Sequence, residues 1–109
     1  MSGTLGFDTS NYTTSAALCD ESGRIIANIK IPLPVKSGER GLRQSDAVFA
    51  HIKNLPELTE KLKEAMGEDK LTAVAVSSKP RDAEDSYMPC FLAGVSAANA
   101  MSYASGADI

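Results

Sequence analysis

The run Leu5-Gly6-Phe7-Asp8-Thr9-Ser10-Asn11-Tyr12-Thr13-Thr14-Ser15-Ala16-Ala17-Leu18 decides how the rest of the chain reads. Residues 4–9 are a short apolar segment that closes on polar side chains, and residues 14–19 are a second apolar segment built from small ones. Four polar residues, 10–13, join the two. This is the pattern of a β-hairpin with a polar tip, because Ser and Asn hydrogen-bond nearby backbone in turns while the flanking residues suit a pleated surface.

Working outward, Asp20-Glu21-Ser22-Gly23 is a turn cluster. Ile25, Ala27, Ile29, Ile31 and Leu33 then alternate with Arg24, Asn28 and Lys30, a third strand that Pro32 and Pro34 bring to a stop. Residues 35–42 have the glycine and charge content of a loop, after which Ser45 is placed to cap a helix. Val48, Ile52, Leu55, Leu58, Leu62 and Met66 form one apolar stripe that ends at Gly67, and Pro56 inside it predicts a kink or a break. His51 falls within that stripe and reads as a partly buried, hydrogen-bonded structural histidine. The continuous run Leu71-Thr72-Ala73-Val74-Ala75-Val76 predicts a central strand covered on both faces. A polar loop over 77–89 leads to a helix over 90–104 rich in Ala and Gly. Gly106 ends that helix, and Ala107-Asp108-Ile109 reads as the lead-in to a further strand.

Composition narrows the function. The chain has 109 residues, 43% of them hydrophobic, enough for one small core. Its net charge of −3 gives no general attraction to nucleic acid or an anionic membrane, so any such contact must be local. Lys36, Arg40 and Arg43 gather in one loop and Lys79 and Arg81 in another; the latter pair is a candidate phosphate or tRNA contact, because it follows the central strand where α/β sheets bind ligands. Cys19 and Cys90 lack a neighbouring Cys or His and read as reduced thiols in a soluble, cytoplasmic protein with no membrane contact. No nucleophile with a base and no complete metal motif is present, so neither a catalytic residue nor a metal ligand is assigned.

The element order is β-β-β-α-β-α. Three antiparallel strands followed by a helix, a parallel central strand and a helix describe an α/β, ribonuclease H-like half-domain with a mixed sheet, the unit of the actin-like ATPase group. In that unit the first hairpin turn faces a cleft and meets phosphates. Asp8 is a carboxylate able to hold a metal ion or its water, and Thr9, Ser10, Asn11, Thr13 and Thr14 offer donors to a nucleotide.

Leu5 to Leu18, together with Gly23-Arg24-Ile25-Ile26-Ala27-Asn28, His51-Ile52-Lys53-Asn54-Leu55-Pro56, Ala73-Val74-Ala75-Val76-Ser77 and Phe91-Leu92-Ala93-Gly94-Val95-Ser96-Ala97-Ala98-Asn99-Ala100, resembles the first third of the TsaD (YgjD) family, long labelled O-sialoglycoprotein endopeptidase. The resemblance implies transfer of a threonylcarbamoyl group from its adenylate to an adenosine of tRNA, alongside TsaB-like and TsaE-like subunits. It also implies ATP or threonylcarbamoyl-adenylate and a divalent metal in a full-length parent, with none expected on this part alone. On this reading residues 1–109 are an N-terminal lobe that stops before the family's H-x-x-x-H metal pair, and the single histidine present cannot supply that pair. Two departures stand out. Asn11-Tyr12-Thr13-Thr14 replaces the family's Cys-Asp-Glu-Thr, and Ser77-Ser78-Lys79-Pro80-Arg81-Asp82 replaces its Gly-Pro-Gly turn. They leave open a noncatalytic, TsaB-like paralogue that serves for pairing with another subunit, or with a second copy of itself. Metalloprotease activity rests only on the family's old name. The lobe reading predicts that calorimetry of the chain with ATP gives little or no heat, since half a cleft leaves base and ribose in water; tight binding would overturn it.

Overall fold

A computed structural model describes residues 2–34, 43–80 and 88–109. The elements are β1 (Ser2–Asp8), β2 (Thr13–Asp20), β3 (Ile25–Pro32), α1 (Gln44–Met66), β4 (Lys70–Val76) and α2 (Phe91–Ser105). They form a four-stranded mixed sheet in the order β3-β2-β1-β4. β1 runs antiparallel to β2 and parallel to β4, and β2 runs antiparallel to β3. The expected α/β order is therefore observed. Ala73 also makes a parallel bridge to Asp108, so the segment after α2 begins to pair on the far side of β4.

Alternation along the strands sorts the core. Leu5 and Phe7 of β1, Ala16 and Leu18 of β2 and Val74 of β4 are all buried in one cluster with Leu58 and Leu62 of α1 and Ala98 of α2. Among the described residues, both helices thus lie on the same face of the sheet. The other face carries Asp8, Ser15, Ala17, Asn28 and Ala75, none of them buried. This corrects the expectation for β4, whose residues other than Val74 remain partly or fully exposed. Its apolar continuity comes from alanines on the open side, which lose little by facing water.

The glycine stops act as expected. Gly67 and Gly106 take positive φ values of 59° and 76°, and their amides reach back to the carbonyls of Lys63 and Ser102. The expected cap of α1 fails, and of the kink or break expected at Pro56 the break does not occur. Arg43, with no side-chain cap bond, precedes the helix, and Ser45 lies inside it; Gln44 is engaged elsewhere, its Oε1 accepting from the Cys90 amide at 3.3 Å. Pro56 does not divide the helix, which runs for 23 residues. A proline here removes only the donor to the carbonyl of residue 52. Ile52 is 52% exposed, so that carbonyl sits on the side of the helix that faces water. No described helix is long and apolar enough to cross a membrane.

Leu58 is wholly buried under α1 against the sheet. Leu58→Ala should cost roughly 2–5 kcal/mol in urea unfolding, with the slope unchanged, because the cavity is enclosed by strands that cannot collapse into it.

Candidate functional site

The turn joining β1 to β2 is held from both helices. On the α2 side, the Thr9 hydroxyl donates to the Cys90 carbonyl at 2.8 Å and accepts from the Gly94 amide at 3.0 Å. Those two groups are the ones that the first turn of α2 would bond to each other, so the hydroxyl stands inside the helix ladder. Gly94 makes room for it, since a Cβ there would lie 2.9 Å from Thr9 Oγ1 and 3.3 Å from Val76 Cγ2. The Cys90 thiol donates to the Ser10 carbonyl at 3.4 Å, and burial pushes that thiol's pKa up, which keeps it protonated. Both cysteines are free, as expected.

On the α1 side, His51 is fully buried, with Nε2 2.9 Å from the Asn11 carbonyl and Nδ1 2.7 Å from Thr14 Oγ1. The partners assign the tautomer. A carbonyl only accepts, so Nε2 carries the hydrogen; Nδ1 then accepts from the Thr14 hydroxyl, whose oxygen accepts from Asn54 Nδ2 at 3.1 Å. Burial lowers the pKa of His51 below its ordinary value, against the opposing pull of the Asn11 carbonyl and Asp8. His51 is the structural histidine anticipated.

Asp8 occupies the other side of the turn, on the face away from the helices. Its Oδ1 accepts from the Ser10 amide at 2.9 Å and the Ser77 hydroxyl at 2.7 Å. Partial burial works to raise its pKa, but the hydrogen bonds from Ser10 and Ser77 prevail and hold it below the usual carboxylate value. Two open hollows of about 300 Å³ each adjoin at Asp8 and Ser15. One extends across Gly6, Ala17, Ala75 and Ser77; the other follows Ser10, Asn11, Thr13 and Lys30. Asp8, Ser10, Asn11 and Thr13 therefore line a shared polar depression, whereas Thr9 and Thr14 have their hydroxyls inside the fold at 0% exposure and line neither hollow. Lys79 is exposed two residues beyond Ser77, and Arg81, with Lys36 and Arg40, lies outside the described residues.

Ser77 and Lys30 join the site without having been picked out in the sequence. The register carried the signal for both, since Phe7 pairs with Val76 in parallel and Ser15 pairs with Lys30. No group of three or more metal-ligating side chains occurs among the described residues.

A second surface lies on the outer side of the helix pair. Val48, Ile52 and Leu55 of α1 face Leu92, Ala93 and Ala97 of α2 across an apolar groove of about 490 Å³. Beside it Phe49 is 65% exposed, with the Lys53 ammonium 5.9 Å from its ring centre.

These features define an α/β lobe with a mixed four-stranded sheet, a ribonuclease H-like fold. Among solved structures, the chain is similar to YeaZ from Pseudomonas aeruginosa, with a TM-score of 0.68 at 19% identity. It is also similar to an uncharacterized protein with similarity to peptidase YEAZ from Pseudomonas aeruginosa, with a TM-score of 0.66 at 18% identity. Both matches cover 100% of this chain and 43% of the other, so the chain spans less than half the length of these structures. No family model and no curated protein matches the sequence.

The interlock of Thr9 with Gly94 can be tested by a double-mutant cycle. Gly94→Ala should cost roughly 1–3 kcal/mol despite the better helix propensity of alanine. In a Thr9→Ala background the same change should be neutral or stabilising; equal costs in both backgrounds would show that the hydroxyl is not what excludes the methyl.

Proposed function

We infer that the chain is the N-terminal part of a noncatalytic, TsaB-like protein that pairs with a TsaD-family subunit in the tRNA threonylcarbamoyladenosine system. The observation that carries this reading is the groove between α1 and α2, where Ile52 and Leu92 are 52% and 46% exposed and Phe49 stands beside them. Soluble proteins seldom leave adjoining large apolar side chains in water on one face unless a partner covers them. Two helices with a groove between them fit a helical pair from the partner, which buries its own apolar ridge there. YeaZ is the TsaB protein, and likeness to two YeaZ-type structures supports pairing over catalysis. The sequence agrees, since the turn lacks the two carboxylates of the TsaD pattern and the glycine turn after β4 is missing.

A TsaD-like nucleotide lobe is the second reading, and the depression at Asp8 favours it. Asp8, Ser10 and Asn11 present a carboxylate, a hydroxyl and an amide there. Against it, the ionised Asp8 repels phosphate unless a metal intervenes, and two of the three threonine hydroxyls expected at the nucleotide, those of Thr9 and Thr14, are committed to Cys90, Gly94 and His51.

Pairing is checked by titrating the purified chain with the TsaD-family protein of the same genome in a calorimeter. Ile52→Glu should weaken the complex by about 30-fold or more, equivalent to about 2 kcal/mol, while leaving the far-ultraviolet spectrum unchanged because the residue is exposed. An affinity that Ile52→Glu and Phe49→Glu both leave intact would refute the groove as the pairing surface.

A further inference from the structure

The β1–β2 turn is fixed to α1 by a chain of hydrogen bonds with one direction of donation. Asn54 donates to Thr14, Thr14 donates to His51 Nδ1, and His51 Nε2 donates to the carbonyl of Asn11. Every member is satisfied, and no buried side-chain nitrogen or oxygen lacks a partner among the described residues. A second proton on the imidazole breaks this pattern at one place. Nδ1 becomes a donor, and Thr14 Oγ1 can receive it only by turning its own hydrogen away from its acceptor. That leaves a buried hydroxyl hydrogen without a partner and a buried positive charge, a combination that favours opening of the contact.

We propose that His51 is a proton-operated latch that holds the turn against α1 when its imidazole is neutral and lets the turn move away when the imidazole is charged. The inference is independent of the pairing reading, since it concerns the buried face of α1, where His51 lies with Ala47, Leu58 and Leu62, and not the groove.

The groups around the ring determine how sharply it responds. From β1, the charge of Asp8 reaches it and favours the imidazolium. From the start of α2, Cys90 contributes a neutral thiol at Ser10, and from the turn itself Tyr12 contributes a phenol that is 45% exposed. α1 places uncharged Ala47 and Leu58 on its buried side with His51, and β2 places Thr14 and Ala16 on the face that α1 covers. Among the described residues, therefore, Asp8 is the single charge acting on the ring, and burial outweighs it.

The sign follows from burial. A base whose charged form is disfavoured in the folded state leaves the contact at full strength above its ordinary value of 6.5, and the contact weakens as pH falls below that value. Asp8 acts in a separate window, since its own carboxylate contribution is lost only as pH falls below 3.8.

Nuclear magnetic resonance of the 109-residue chain from about pH 7.5 to about pH 5 tests the latch. Two amides report on the turn, that of Ser10, bonded to Asp8, and that of Leu33, bonded to the Tyr12 carbonyl at 2.8 Å. Their exchange protection, corrected for the intrinsic rate, should fall by about tenfold or more with a midpoint that coincides with the His51 imidazole carbon shift. The core amide of Leu18 should keep its protection over the same range. His51→Gln keeps a donor toward Asn11 and cannot take up a proton, and it should abolish the pH dependence. Three results overturn the proposal: titration of the imidazole with no change at Ser10 and Leu33, parallel loss of protection at Leu18, or an imidazole that stays neutral across the range. The wild-type measurement decides the matter even if His51→Gln does not fold.

Discussion

The fold depends on bringing one backbone turn close to two helices at once. β1 carries it, as the strand between an antiparallel and a parallel neighbour, and it ends where α1 and α2 both begin to cover the sheet. The tightest point is Thr9 against Gly94, where a hydroxyl substitutes for a helical hydrogen bond and a hydrogen atom substitutes for a side chain. That contact sets how near α2 lies to the sheet. The same helix carries Leu92, Ala93 and Ala97 on the outer groove. Through His51 and Asn54 the same turn sets the height of α1. The turn is thus less a free ligand loop than a keystone, and the polar groups left for a ligand are those of Asp8, Ser10, Asn11 and Thr13 on its outer side.

Much of this was legible in the sequence because periodicity is a strong signal. The order of elements, the hairpin, the glycine stops and the buried character of His51 follow from spacing and turn chemistry. Three features were misread for separate reasons. The continuity of Leu71 to Val76 suggested a strand with two covered faces, yet alanine is tolerated on either side and does not report burial. Pro56 suggested a kink or a break, and the break is absent, because whether a proline divides a helix depends on the tertiary packing around it. Thr9 and Thr14 read as ligand donors by residue type. Their directions were implied by a period of two from Phe7 and Ala16, which sends both toward the helices.

The two surfaces of the lobe differ in how much structure stands behind them. The groove is formed by side chains on two regular helices whose inner faces are anchored in the core, so its shape is set before any partner arrives. The depression at Asp8 rests on a turn and on the ends of β1 and β4. The groove is therefore the more preorganised of the two surfaces.

β3 pairs only with β2 among the described residues, so its outer rim offers unmatched amides and carbonyls to solvent. Lys30 and Pro32 guard one end by charge and by the lack of a donor, whereas Ile25 and Ile26 are 63% and 37% exposed at the other, next to Arg24 and its partner Asp20. The Ile25 end of β3 thus combines an unpaired backbone rim with exposed β-branched side chains, the combination that edge strands ordinarily avoid.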